Sequence, residues 1–106
     1  ELQKKIDEQG LKIDAIYTLN NNLATACLNV FNELGFDAKK EGLHFASFDD
    51  ISLFDFVKPS ITSVSQPIEL IGKEAANLVL ELIDNKKSSD KQFKNIVLPT
   101  SIISRL

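Results

Sequence analysis

The chain has 106 residues, 43% of them apolar and 25% charged, with a net charge of −3. This is an ordinary globular balance, so disorder is excluded, as is a membrane span, for which no apolar run approaches ~18 residues. One cysteine and one histidine leave no intrachain disulfide and no tetrahedral zinc site, and the acidic balance argues against this chain gripping a nucleic acid backbone by itself.

Residues 1–9 (ELQKKIDEQ) place Leu2 and Ile6 on one narrow helical stripe that Gly10 ends. With no cap before Glu1 and no signal-peptide pattern, this segment reads as the tail of something longer. Residues 13–19 (IDAIYTL) are nearly all apolar and predict a strand buried on both faces, the parallel-sheet pattern. Asn20, Asn21 and Asn22 follow, and asparagine caps helix N-termini well. Leu23, Cys27, Val30, Phe31 and Leu34 then share one helical face, and Gly35 ends the helix. After a charged connection, residues 43–48 (LHFASF) predict a second strand ending at Asp49-Asp50. Strand, helix and strand over residues 13–48 form a right-handed βαβ unit with parallel neighbouring strands.

Within residues 51–60, Ser52 is expected to cap one helical turn carrying Leu53, Phe54 and Phe56, ended by Pro59. Residues 61–65 (ITSVS) are β-branched and predict a third strand. Pro67 suits the first turn of a helix whose set Ile71, Ala75, Leu78, Val79, Leu82 and Ile83 keeps period to residue 84. Gly72 in that helix suggests close approach to another element. Residues 85–94 are a polar loop, and residues 95–104 a last strand broken or bulged at Pro99.

One constellation has a chemical argument. In open parallel sheets, ligands bind beyond the carboxyl ends of the strands. Parallel neighbours bring Asn20-Asn21-Asn22 and Asp49-Asp50 to the same edge. Asparagine supplies donors and an acceptor, and an ionised aspartate can accept from two vicinal hydroxyls, which suits a sugar, another polyol or a ribose. The plainer alternative is that Asn21 or Asn22 only caps the helix and Asp50 caps the following turn. Asp49 and Asp50 are adjacent and point to opposite faces, so they do not form an acid–base pair. His44 reads as a structural in-strand residue, and Cys27 as a small buried hydrophobe with no base to activate it. Lys39-Lys40 and Lys86-Lys87 read as solvated loop charges. Phe54 and Phe56, with Val57, fit a core or a partner interface equally.

Four stretches carry a family resemblance: DAIYTLNNNLATACLNVFNELGF (14–36), FASFDDISLFDFVKPSITSVSQP (45–67), ELIGKEAANLVLELID (69–84) and IVLPTSIISR (96–105). In order and spacing they resemble the C-terminal part of LacI/GalR-family transcription repressors. The resemblance implies an α/β fold, a parallel-sheet βαβ three-layer sandwich of the type I periplasmic-binding-protein kind. This chain would be a fragment of the effector-binding domain. It implies that residues 1–66 form part of the C-terminal subdomain. Residues 67–94, a crossover helix and loop, would go with the N-terminal subdomain, leaving the helix's apolar face without its partners here, and residues 95–106 would be the returning terminal strand.

By the same resemblance Asn20 and Asp49 match the positions that hold the effector. Gln66 lies at a crossover between subdomains, and Ile68 stands where some relatives carry an aromatic cleft wall. Thr25, Phe54, Phe56 and Val57 become candidate dimer-interface positions. The chain departs from the usual pattern at Asn21, Ser47 and Ile68, where the family carries Asp, Gly and the aromatic. The function implied is effector sensing, of a sugar or sugar derivative, in a cytoplasmic homodimeric regulator. Operator DNA would be contacted only through a helix-turn-helix domain outside this chain. A periplasmic sugar-binding protein of an ABC transporter is the alternative. No cofactor, metal, membrane partner or enzymatic activity is expected.

Overall fold

A computed structural model describes residues 13–84 and 94–105. The expected helix over residues 1–9 and most of the polar loop over 85–94 lie outside the described residues. The chain divides into two compact units, one comprising the chain up to Ser65 together with the segment from Ile102, the other running Gln66–Ser101.

In the first unit, strand β1 (Ala15–Thr18) leads directly into helix α1 (Asn21–Glu33). Asn20 is the N-cap: its backbone is extended, and its side-chain Oδ1 accepts the Leu23 N–H at 2.9 Å. The cap is therefore Asn20, not Asn21 or Asn22. Its removal should be felt locally: Asn20→Ala is expected to cost about 1 kcal/mol, read as a drop in the thermal midpoint. An unchanged midpoint would show that the cap contributes nothing.

The other end of α1 closes as a Schellman motif. Gly35 takes φ of 61°, a left-handed conformation that costs glycine nothing. The Phe36 N–H donates to the Phe31 carbonyl at 2.9 Å and the Gly35 N–H to the Asn32 carbonyl at 3.2 Å, satisfying carbonyls the helix leaves orphaned. The Phe31 and Phe36 rings meet across this turn at 5.1 Å between centroids, the apolar contact that usually accompanies the motif.

Strands β2 (His44–Phe48) and β3 (Ile61–Ser65) follow, and β4 (Ser101–Ile103) completes a sheet of order β1-β2-β3-β4. β1 pairs parallel with β2, and β2 with β3, placing Ile16, Phe45 and Ile61 in one row and Thr18, Ser47 and Ser63 in the next. Residues in one row of a parallel ladder share a face. The first row joins Ala24 and Phe31 of α1 in the core, with Phe54 completing it and Cys27, Leu28 and Phe36 packed at its margin. The Thr18–Ser47–Ser63 row is buried as well, so the core face turns polar towards the carboxyl ends of the strands.

Several expectations are corrected. β1 is not buried on both faces: Tyr17 is 55% exposed, because among the described residues the helix packed on β1 and β2 is α1, on the Phe45 side. Ser52 does not cap the turn after β2. It is the first residue of a 3-10 turn (Ser52–Asp55) whose N-cap is Ile51, with no side-chain capping bond. Phe54 is not an interface residue, since only 1% of it is exposed, whereas Phe56 is 84% exposed. The 3-10 geometry explains the split, because residues two apart on so tight a turn lie on different sides. Val57 packs against the core from its edge. The last strand is shorter than the apolar run and begins after Pro99, which cannot donate to a ladder.

In the second unit, helix α2 (Ile68–Asp84) has no buried residue. Ile71, Val79, Leu82 and Ile83 are all exposed. Gly72 does not mark a close approach, since a Cβ there would meet nothing within 4 Å. Lys94 pairs with Glu81 at 2.6 Å, an exposed bridge of small energetic weight. No described helix is long and apolar enough to cross a membrane.

Candidate functional site

The register sets the geometry of the candidate edge. Thr18 pairs with Ser47, so Asn20 and Asp49 each stand two residues past the same rung, at the carboxyl ends of adjacent parallel strands. The Ser47 hydroxyl ties the two ends together. Its single proton lies within reach of two carbonyls, that of Phe48 at 2.8 Å and, more weakly, that of Asn20 at 3.3 Å. The family's usual glycine at this position would have no hydroxyl to make that bridge. Asp49 has φ of 69°, a left-handed conformation that costs a non-glycine residue about 1 kcal/mol and that aspartate tolerates better than most.

Asp50 turns away from this edge into a network that residue patterns did not anticipate. It is not a turn cap. Its Oδ1 lies 2.8 Å from Nη1 of Arg105 and accepts the Ser63 hydroxyl at 2.5 Å. Arg105 Nη1 also donates to Ser63 Oγ at 3.0 Å and to the Ile61 carbonyl at 3.1 Å. Its Nε and Nη2 both reach Asp55 Oδ1 at 2.9 Å. Its backbone N–H donates to Thr62 Oγ1 at 3.3 Å, and the guanidinium carbon sits 5.9 Å from the centre of the Phe54 ring, within cation–π range.

The Arg105 and Asp50 side chains are 13% and 21% exposed, so their attraction is screened far less than a surface pair's. Burial would raise the Asp50 carboxyl, but hydrogen bonds from Arg105 and Ser63 and the guanidinium charge outweigh it and hold the group below the ordinary aspartate value. Arg105 is raised above its ordinary value, chiefly by the hydrogen bond to Asp50. Reading residue types along the chain missed Arg105. The signal was present, since it is the sole arginine among 12 basic residues, and arginine's planar fork serves where several acceptors must be held at once.

The remaining candidates are spread out. Gln66 and Ile68 belong to the second unit. The Gln66 carbonyl accepts the Ile68 N–H at 2.9 Å, and Ile68 is exposed beside Pro67, Glu69, Leu70 and Lys73, which line an open depression of about 510 Å³. Thr25 is half-buried, and its hydroxyl donates to the Asn21 carbonyl at 2.9 Å within α1. Burial pushes the Cys27 thiol up, the opposite of what an activated nucleophile needs. Among the described residues, no His, Cys, Asp and Glu side chains cluster as metal ligands do.

Comparisons with known proteins agree with this architecture. A family model described as a periplasmic binding protein-like domain matches residues 2–106. The chain is 30% identical to the HTH-type transcriptional regulator GalR of Escherichia coli K12 over 94 residues, which is 89% of this chain and 26% of that protein. It is 30% identical over 92 residues to the lactose operon repressor of Rhizobium radiobacter, covering 87% of this chain and 77% of that relative. Among solved structures, a transcription regulator from Staphylococcus saprophyticus superposes with a TM-score of 0.76 at 28% identity, over 96% of this chain and 34% of that one. A complex of the transcriptional regulator CelR with cellobiose superposes with a TM-score of 0.77 at 25% identity, over 98% of this chain and 30% of that one. The chain thus spans about a quarter of the length of GalR and corresponds to one segment of the effector domain of these relatives. It belongs to the LacI/GalR family of transcriptional regulators and has their periplasmic-binding-protein-like fold.

Proposed function

We propose that this chain contributes one wall of a sugar-binding effector site in a transcriptional regulator, and that it is not an enzyme. The observation that carries the reading is the placement of Asn20 and Asp49 two residues past one rung of a parallel ladder. The helix cap occupies the Asn20 side-chain oxygen, which leaves the amide nitrogen as a hydrogen-bond donor to a ligand. The Asp49 carboxylate accepts from hydroxyls. A donor and a divalent acceptor side by side match a pair of vicinal hydroxyls, and cellobiose, the ligand in the CelR complex, presents several such pairs.

On this reading residues 1–66 belong to the C-terminal subdomain, residues 67–94 go with the N-terminal subdomain, and residues 95–106 return. Gln66 and Ile68 would supply contacts from the crossover and from the start of α2. The exposed Phe56, together with Thr25 and Val57, is the surface offered to a second copy. Operator DNA is bound by a separate helix-turn-helix domain in the cytoplasm. The effector biases the conformational equilibrium by as much as its affinities for the two states differ.

The test is calorimetric titration of the full-length protein with cellobiose and a panel of mono- and disaccharides, comparing wild type with Asp49→Asn. Asparagine tolerates the left-handed backbone as well as aspartate does, so the substitution removes the charge without adding strain. Affinity for the bound sugar is expected to fall about 10–150-fold, the worth of a charged hydrogen bond, with the thermal midpoint nearly unchanged. Equal affinity in both proteins would remove Asp49 from the site.

A further inference from the structure

We propose that Arg105 is a positioning residue for the effector site: by clamping Asp50 it holds the preceding residue, Asp49, in the left-handed conformation that aims its carboxylate at the ligand. The inference rests on the sugar-binding reading of Asp49 and deepens it.

A non-glycine residue at φ of 69° persists only where its surroundings over-determine it. The residues flanking Asp49 are held in just this way. Before it, Ser47 is buried, with its hydroxyl within reach of the carbonyls of Phe48 and Asn20. After it, Asp50 is held by the Arg105 guanidinium at 2.8 Å and by the Ser63 hydroxyl. Beyond that, the Phe54 N–H closes the following turn on the Ile51 carbonyl at 3.0 Å. The chain is thus pinned on both sides of Asp49, and the charged anchor on the Asp50 side is Arg105.

The anchor is itself rigid. Arg105 binds three further groups of the same unit, namely the carboxylate of Asp55, the carbonyl of Ile61 and the hydroxyl of Ser63. It also lies over the Phe54 ring. A lysine could replace its charge but not this geometry, because an ammonium is a point charge without a planar fork. The geometry of Arg105, not its charge alone, should therefore set the conformation at Asp49.

Arg105→Lys, Asp50→Asn and Asp49→Asn in the full-length protein separate the possibilities. Two readouts are needed. The first, without ligand, is the strong intraresidue amide–α-proton NOE of residue 49, the mark of a positive φ. The second is cellobiose affinity by calorimetry. Arg105→Lys is expected to weaken the NOE and to lower cellobiose affinity about tenfold, the effect of misplacing one charged hydrogen bond. Asp50→Asn should do the same, and the double variant should be little worse than either single one. If Arg105→Lys does not fold, Asp50→Asn supplies the same two readings. An unchanged NOE in the variants overturns the positioning role whatever the affinity does. A changed NOE with full cellobiose affinity also overturns it, provided Asp49→Asn loses binding. A changed NOE in a protein whose wild type binds no cellobiose supports the clamp and counts instead against the sugar reading of Asp49.

Discussion

Phe54→Ala is expected to destabilise the protein by about 3–5 kcal/mol, the usual cost of emptying a fully packed phenylalanine site. Phe54 is 1% exposed and completes the cluster of Ala24, Phe31, Phe45 and Ile61. It also carries the guanidinium of Arg105 on its ring, so the substitution removes an apolar plug and a cation–π partner together. Two residues along the chain, Phe56→Ala should change stability by no more than about 0.5 kcal/mol, because its ring is already in solvent. Urea denaturation followed by circular dichroism reads both. Similar midpoint shifts in the two variants would contradict the core and surface assignments. Sedimentation velocity on the Phe56→Ala protein then asks a separate question, whether that exposed ring contributes to self-association.

The Phe54–Phe56 contrast also shows where residue patterns stop being informative. Both are phenylalanines in one short segment, and type alone fits core or interface. Only the 3-10 turn, which turns one ring inwards and the other outwards, decides between them. Elements set by local chemistry were readable in advance. The asparagine run predicted a cap at the start of α1, and Gly35 predicted its end. The β-branched ITSVS run matches β3. Parallel pairing of the first two strands followed from the length of the crossover.

What was not readable depends on contacts distant in sequence. Asp50 and Arg105 lie at opposite ends of the second half of the chain. No periodicity links them, and an aspartate next to a turn is chemically a good cap until its partner is known. The double-sided burial expected for β1 failed for a related reason. An apolar run reports the capacity to be covered, whereas coverage depends on which elements pack there, and among the described residues α1 packs on the Phe45 side of the sheet. Similarly, the pairing of Asn20 with Asp49 at one edge was readable from topology, while the division of labour between Asp49 and Asp50 needed the side-chain geometry.

That division of labour makes Arg105→Ala the substitution whose effect should depend most on pH. Removing the guanidinium takes the charge partner from Asp50, whose side chain is 21% exposed in the wild type, and leaves Ser63 as its remaining side-chain donor among the described residues. The expected loss at neutral pH is about 3 kcal/mol, within the range for breaking a largely buried charge pair. In the wild type the folded Asp50 carboxyl titrates below its ordinary value. The stabilisation it provides is therefore complete above the unfolded aspartate pKa of about 3.9 and is lost as pH falls through the lower folded value. In Arg105→Ala the groups that lower the carboxyl are mostly gone and burial, which raises it, remains, so ionised Asp50 becomes a liability at neutral pH that protonation relieves. The difference between the two proteins should consequently be largest near pH 7, begin to narrow as pH falls towards the unfolded aspartate value of about 3.9, where the variant's raised carboxyl protonates, and narrow further below it as the wild-type pair is lost. Denaturation midpoints of both proteins across that range measure it. A difference that stays constant with pH would mean that Arg105 stabilises the fold by packing on Phe54 and by its bond to the Ile61 carbonyl, with the carboxylate of Asp50 contributing nothing.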